Sequence, residues 1–317
     1  MNNNLKKNIL FIGGAGFIGA NLITPFIGNA QYGIFVFEHL NANTSRLHSF
    51  QNQITVYKGL LSDFLFLEEI IKNNDITTVV HLASTIIPGS SFADYKNEFE
   101  NIIVPSFELI NLCAKSKIKF VYFSSGGTIY GNSEKERFSE IDISNPISYY
   151  GLSKQIVESS ILFNHRTRNL EYLILRPSNP FGPGQPLHAN QGFIAVAISK
   201  ILEKNSITIW GDGKSTRDYI YIDDLATVFF KLIDSNITNE TINIGSGKGY
   251  AINDIVSFLT QIVEEDFVIE YENSRNVDVN KVVLDTTKLQ SLVNFKLTTI
   301  ETGIKKFYSY IKSNKGL

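Results

Sequence analysis

The chain has 317 residues, 43% of them hydrophobic, enough to bury a large core as one α/β domain or as two unequal lobes. Lys and Arg total 29 against 31 Asp and Glu, and a net charge of -2 offers no electrostatic attraction for nucleic acid or an anionic membrane surface. One cysteine, Cys113, excludes an internal disulfide, and five scattered His leave no zinc-like cluster, so no metal is expected.

In chain order, MNNNLKKN leads into ILFIGGAGFIG, where glycines interrupt the apolar run too soon for a signal peptide or a membrane span. A cytoplasmic protein is expected. The runs NILFI, GIFVF, ITVY, TTVVHLA, KFVYFSS and EYLILRP read as strands and alternate with helical spacing, which implies a doubly wound parallel sheet with helices on both faces. GGAGFIG follows the first strand and opens a helix, so Gly13, Gly16 and Gly19, with Phe17 and Ile18 between them, sit where a dinucleotide pyrophosphate needs close backbone approach. Glu38 ends the second strand, where a carboxylate accepts the ribose hydroxyls of NAD. His39 and Arg46 lie near enough in sequence to assist a 2′-phosphate, but that phosphate would be repelled by Glu38, which favours NAD.

Residues 95–117 and 148–167 carry apolar residues at three- and four-residue intervals and read as two long amphipathic helices, with Cys113 in the buried stripe of the first. Tyr150 and Lys154, four apart, share a face of the second. An ammonium beside a phenol stabilises the phenolate, which lowers the phenol pKa toward neutrality and makes Tyr150 a usable base for an alcohol proton. After LRPSNPFGPGQP the regular alternation breaks, so a first domain over 1–176 and a smaller mixed α/β lobe over 177–317 are expected, with some segments returning to the first. GSGKG at 245–249 lacks phosphate-loop spacing and reads as a strand-to-helix turn.

The glycine turn, HLAS at 81–84, Asn101, SSGGTIYG, YGLSK, LRPSNPFGPGQ and WGDGKSTRDYIYIDDLA occur in the order and spacing of the extended short-chain dehydrogenase/reductase family, and the chain most resembles its nucleotide-sugar epimerase branch. The resemblance implies a Rossmann fold and NAD as cofactor, with Tyr150 as acid/base and Lys154 holding the nicotinamide ribose. It places Leu82, Ala83, Ser84 and Asn101 beside the cofactor. It assigns Ser84, Asn179, Trp210, Arg217, Arg275 and Asp278 to a nucleotide-sugar substrate, the arginines matching phosphate oxygens in geometry and charge. It also implies a homodimer through a four-helix bundle of the two long helices.

The chain departs from the pattern twice. Leu60 stands where the family often has an adenine-contacting Asp, and Asp63 comes three residues later. Gly126 stands where the family usually has Ser or Thr. If the strand continues, Thr128 projects to the face that residue 126 would use and Ser125 points away. Thr128 is therefore the expected replacement hydroxyl, with Ser125 second. Gly126, Gly127 and Thr128 also replace the Asp–Glu pair of the 4,6-dehydratase relatives. Two chemistries remain: a UDP-hexose or UDP-N-acetylhexosamine 4-epimerase, or a reductase of nucleotide-4-keto-6-deoxy sugars. A non-catalytic NAD sensor or scaffold is the reading outside catalysis.

Overall fold

All six apolar runs become parallel strands in the structure, a computed structural model that describes residues 6–188, 191–273 and 280–315. They are β1 (Lys7–Ile12), β2 (Tyr32–His39), β3 (Ile54–Gly59), β4 (Ile76–His81), β5 (Lys119–Phe123) and β6 (Tyr172–Pro177). β7 (Asn179–Phe181), β8 (Ile207–Trp210), β9 (Thr216–Tyr221), β10 (Glu240–Ile244), β11 (Gly249–Ala251), β12 (Ile269–Glu272) and β13 (Lys281–Val282) come after them. The helices are α1 (Phe17–Ile23), α2 (Phe64–Asn73), α3 (Phe92–Glu98), α4 (Val104–Ser116), α5 (Tyr149–Arg168), α6 (Phe193–Leu202), α7 (Ile222–Asp234), α8 (Ile252–Ile262), α9 (Thr287–Leu292) and α10 (Ile300–Lys315).

The main sheet has seven strands in the order β3-β2-β1-β4-β5-β6-β10. Alternation along β1 assigns its side chains to opposite layers. Ile9 and Phe11 join Leu22 of α1 and Phe229 of α7 on one face, while Leu10 and Ile12 join Leu67 of α2, Leu109 of α4 and Ile161 of α5 on the other. The order in which strands are added reverses between β1 and β4, which remain parallel, and a parallel sheet binds its ligand in the crevice at the C-terminal strand ends of that switch point. The second lobe is a set of small sheets, β11-β9-β13 with β7 beside β9, and β12-β8, packed on α6, α8 and α10. β10, α7 and α9 belong to the first lobe's core although they lie beyond residue 177, so the chain crosses between lobes more than once.

The first long helix is not continuous. A π-helical turn over Phe99–Ile103, closed by the Val104 N–H donating to the Phe99 carbonyl, separates α3 from α4. A π turn takes up one extra residue and so rotates the side-chain register of α4 relative to that of α3.

Candidate active site

The glycine turn links β1 to α1. Gly13 adopts φ +81°, and a Cβ there would stand 3.0 Å from the Ala83 amide nitrogen, so only glycine lets the turn lie against the segment after β4. A Cβ on Gly19 would meet the Gly14 carbonyl oxygen at 2.6 Å; its absence lets α1 pack onto the turn. Phe17 and Ile18 open the helix half-buried, and no side chain caps its N-terminus. Glu38 at the end of β2 is buried, and its Oε1 accepts from the Ala15 N–H. Burial pushes its pKa up, and the Ala15 amide and Lys58 oppose that shift. Arg46 donates to the Gly184 carbonyl at 3.0 Å and His39 is exposed. Asp63 serves as the N-cap of α2, accepting from the Phe66 N–H at 3.2 Å, and Leu60 is exposed. A glycine cradle, an uncapped helix start and a carboxylate at the next strand end suit a dinucleotide.

Beyond β5 the backbone turns. The strand ends at Phe123 and residues 126–128 form a turn, with the Ile129 N–H donating to the Ser125 carbonyl at 3.2 Å. Strand alternation therefore does not extend to Thr128. It is the Ser125 side chain that lies beside the Tyr150 hydroxyl and favours its phenolate, whereas Thr128 Oγ1 is buried without a protein partner among the described residues. Ser124 and Ser178, at the ends of the adjacent strands β5 and β6, also carry buried hydroxyls without partners among the described residues. That edge of the sheet thus has hydrogen-bonding capacity that a bound ligand can meet. Gly126 has no room for a side chain, because a Cβ would approach Leu284 Cδ1 at 2.6 Å and the Arg176 carbonyl oxygen at 2.8 Å.

Ser148 caps α5 by accepting from the Gly151 N–H at 3.1 Å, so Tyr150 and Lys154 lie in its first turns. Lys154 is 4% exposed; its Nζ donates to the Phe123 carbonyl at 3.1 Å and lies 5.4 Å from the Tyr150 ring centroid. Burial brings its pKa down to about 8, against the pull of Glu98 and Glu158. Tyr150 departs from the sequence expectation: burial and then the charge of Glu98 push it up to about 12, and the Ser125 hydrogen bond only partly offsets them. At neutral pH the protein alone thus holds a neutral phenol beside a buried ammonium.

Leu82 and Ala83 lie half-buried after β4, the Leu82 N–H donating to the Ile12 carbonyl at 2.9 Å. Ser84 Oγ donates to Glu98 Oε1 at 2.9 Å. Asn101 is exposed on the π turn, its Nδ2 donating back to the Asn97 carbonyl at 3.0 Å. The inward position belongs to Glu98, 2% exposed. Sequence reading missed Glu98, because spacing assumes an unbroken α-helix and the π turn shifts the register.

On the second lobe, Asn179 Nδ2 donates to the Asp218 carbonyl at 2.8 Å, and a Cβ on Gly127 would lie 3.6 Å from its Oδ1, so Asn179 borders the turn that carries Ser125. Arg217 of β9 is half-buried, with Nη1 donating to the Thr216 carbonyl at 3.1 Å. Trp210 is exposed at the end of β8. Asp218 is buried and orders the GSGKG turn, accepting from the amides of Ser246 at 2.8 Å and Gly247 at 3.0 Å. Arg275 and Asp278 lie outside the described residues.

The model of the family described as NAD dependent epimerase/dehydratase matches residues 9–245. The chain belongs to that family. The family is NAD-dependent, and NAD is the cofactor that the glycine turn and Glu38 suit. Among curated relatives, a putative UDP-glucose 4-epimerase of Methanocaldococcus jannaschii is 31% identical over 96% of this chain and 99% of its own length. A dTDP-4-dehydro-6-deoxyglucose reductase of Escherichia coli is also 31% identical, over 97% of this chain and 98% of its own. Among solved structures, the UDP-glucose 4-epimerase of Thermotoga maritima with UDP-glucose superimposes with a TM-score of 0.88 at 30% identity, covering 97% of this chain and 99% of that one. As a member of the epimerase/dehydratase family, the chain is an enzyme with a doubly wound fold.

Proposed function

We propose that this enzyme is a 4-epimerase of a UDP-hexose or UDP-N-acetylhexosamine, working through a transient 4-keto sugar. NAD, when bound, supplies a hydride acceptor that returns what it takes. Tyr150 receives the proton of the sugar 4-hydroxyl and gives it back once the ketone presents its other face. Ser125 donates to the Tyr150 oxygen and stabilises the phenolate as it forms, and the Lys154 ammonium adds positive charge beside it. Asn179, Arg217 and Arg275 take the sugar-diphosphate in this reading, Asp278 the nucleotide ribose and Trp210 the base; Thr128 Oγ1 supplies a further hydroxyl for the sugar.

The buried Glu38 carboxylate carries the choice of epimerase, because it favours NAD over a 2′-phosphorylated cofactor and so suits a cofactor that stays bound and undergoes no net redox. Gly126, closed in by Leu284 and the Arg176 carbonyl, leaves no place for the carboxylate pair of a dehydratase. The similarity to the E. coli reductase supports a second reading, net reduction of a 4-keto-6-deoxy sugar by the same Tyr150–Lys154 pair. Exposed Val104 of α4 and Phe163 of α5 support a homodimer through these helices, which light scattering tests.

Denaturing the purified enzyme and identifying the nicotinamide it releases, then incubating native enzyme with UDP-hexoses and no added cofactor, separates the readings. Retained NAD with interconversion of C4 epimers supports the epimerase. An empty site, with NAD(P)H consumed only in the presence of a 4-keto-6-deoxy sugar, replaces it by the reductase.

A further inference from the structure

Glu98 ends α3 with its side chain buried, where an unpaired carboxylate is costly. Its oxygens are saturated by the segment after β4. Ser84 Oγ donates to Oε1 at 2.9 Å, and the Thr85 N–H and Oγ1 donate to Oε2 at 2.8 and 2.6 Å. A helix residue thus clamps the strand end that the glycine turn touches through Ala83.

Three neutral donors satisfy the carboxylate without cancelling its charge. The titratable groups within its influence are Tyr150 and Lys154 from α5 and Tyr122 from β5. His81 of β4, which also faces Lys154, is held neutral by burial with a pKa down to about 3. Glu158, one turn beyond Lys154, is committed to Arg176, with Nη2 to Oε2 at 2.6 Å. Lys154, whose Nζ sits at the end of β5 on the Phe123 carbonyl at 3.1 Å and 5.1 Å from the Tyr122 ring centroid, is therefore, among the described residues, the buried cation of this neighbourhood on which the Glu98 charge acts.

We propose that Glu98 is a positioning residue of the acid/base site: it fixes the Ser84–Thr85 segment and supplies the negative charge that keeps Lys154 an ammonium beside Tyr150. The inference rests on the reading of Tyr150 and Lys154 as the acid/base pair. Glu98 is the largest influence holding the Lys154 proton against burial, and it also makes the Tyr150 phenol harder to ionise. Removing its charge releases both protons at lower pH.

The test uses the enzyme with its bound NAD and compares Glu98→Gln with Glu98→Asp. Phenolate absorbance, taken as the difference from the matching Tyr150→Phe protein, reports Tyr150, and the basic limb of the pH dependence of turnover reports Lys154. Glu98→Gln is expected to move both titrations down by on the order of one pH unit or more, while Glu98→Asp leaves them in place at a lower melting temperature. Equal loss of activity in both variants with no movement of either titration, the outcome of a packing role alone, overturns the proposal. A stability cycle of Glu98→Gln, Lys154→Met and the double variant decides independently of folding yield. The double variant is expected to be more stable than Glu98→Gln alone, and additive losses overturn the pairing. If no UDP-hexose is epimerised, the function reading fails, yet the phenolate titration and the cycle still decide Glu98.

Discussion

Replacing Ser125 by Ala removes a hydroxyl whose contact with Tyr150 favours the phenolate. That contact strengthens as the phenol becomes a phenolate, and a hydrogen bond to a charged group contributes about 1.5–3 kcal/mol. The loss therefore corresponds to a fall in turnover of about tenfold to a hundredfold. Because Ser125 lowers the pKa of Tyr150, its loss also moves the acid limb of the pH profile upward. Stability is expected to change by only about 1 kcal/mol, since Ser125 is half-buried and no other side-chain bond of its hydroxyl is seen among the described residues. The assay is chromatographic conversion between UDP-hexose C4 epimers across a pH series, with a melting curve for each variant. Thr128→Val, made alongside, removes a hydroxyl with no protein partner and should cost less. If Thr128→Val slows turnover more than Ser125→Ala, or if Ser125→Ala changes neither rate nor acid limb, the assignment of the hydroxyl to Ser125 is refuted.

Lys154→Met should abolish activity and change how stability depends on pH. Burial lowers the folded pKa of Lys154 from 10.5 to about 8, so between those values the unfolded chain holds a proton that the folded one has released. Wild-type stability gains up to roughly 3 kcal/mol across that window relative to Lys154→Met, read from denaturant midpoints at about pH 7 and about pH 10; an unchanging difference contradicts the burial argument. Gly126→Ser should destabilise by about 1–3 kcal/mol through overpacking, with Leu284→Ala relieving only part because the Arg176 carbonyl remains; a neutral effect on the melting temperature would show that the turn yields. Glu38→Ala should reduce the NAD retained through gel filtration at least tenfold, as it removes the ribose acceptor and frees the Ala15 amide; undiminished retention would count against the assigned role.

Much of this protein is legible in local sequence. The six strands of the nucleotide-binding half are set by period and composition; β1, β2, β4, β5 and β6 lie inside the sheet and need continuous apolar runs, while the edge strand β3 is more exposed. The glycine turn is legible because its backbone demands glycine at Gly13 and Gly19, and the Tyr150–Lys154 spacing because α5 is a regular helix with a Ser148 cap. The features that remained hidden depend on parts of the chain distant in sequence or on breaks in periodicity. β10 completes the sheet from beyond residue 177, and Leu284 closes the space beside Gly126. The turn after Phe123 cancels the alternation that pointed to Thr128 and brings Ser125 to Tyr150. The π turn carries Asn101 outward and leaves Glu98 inside, bonded to Ser84 and Thr85. Sequence periodicity sets which face an element buries so long as the element stays regular; where a strand turns or a helix gains a residue, packing against the rest of the fold decides which side chain reaches the site.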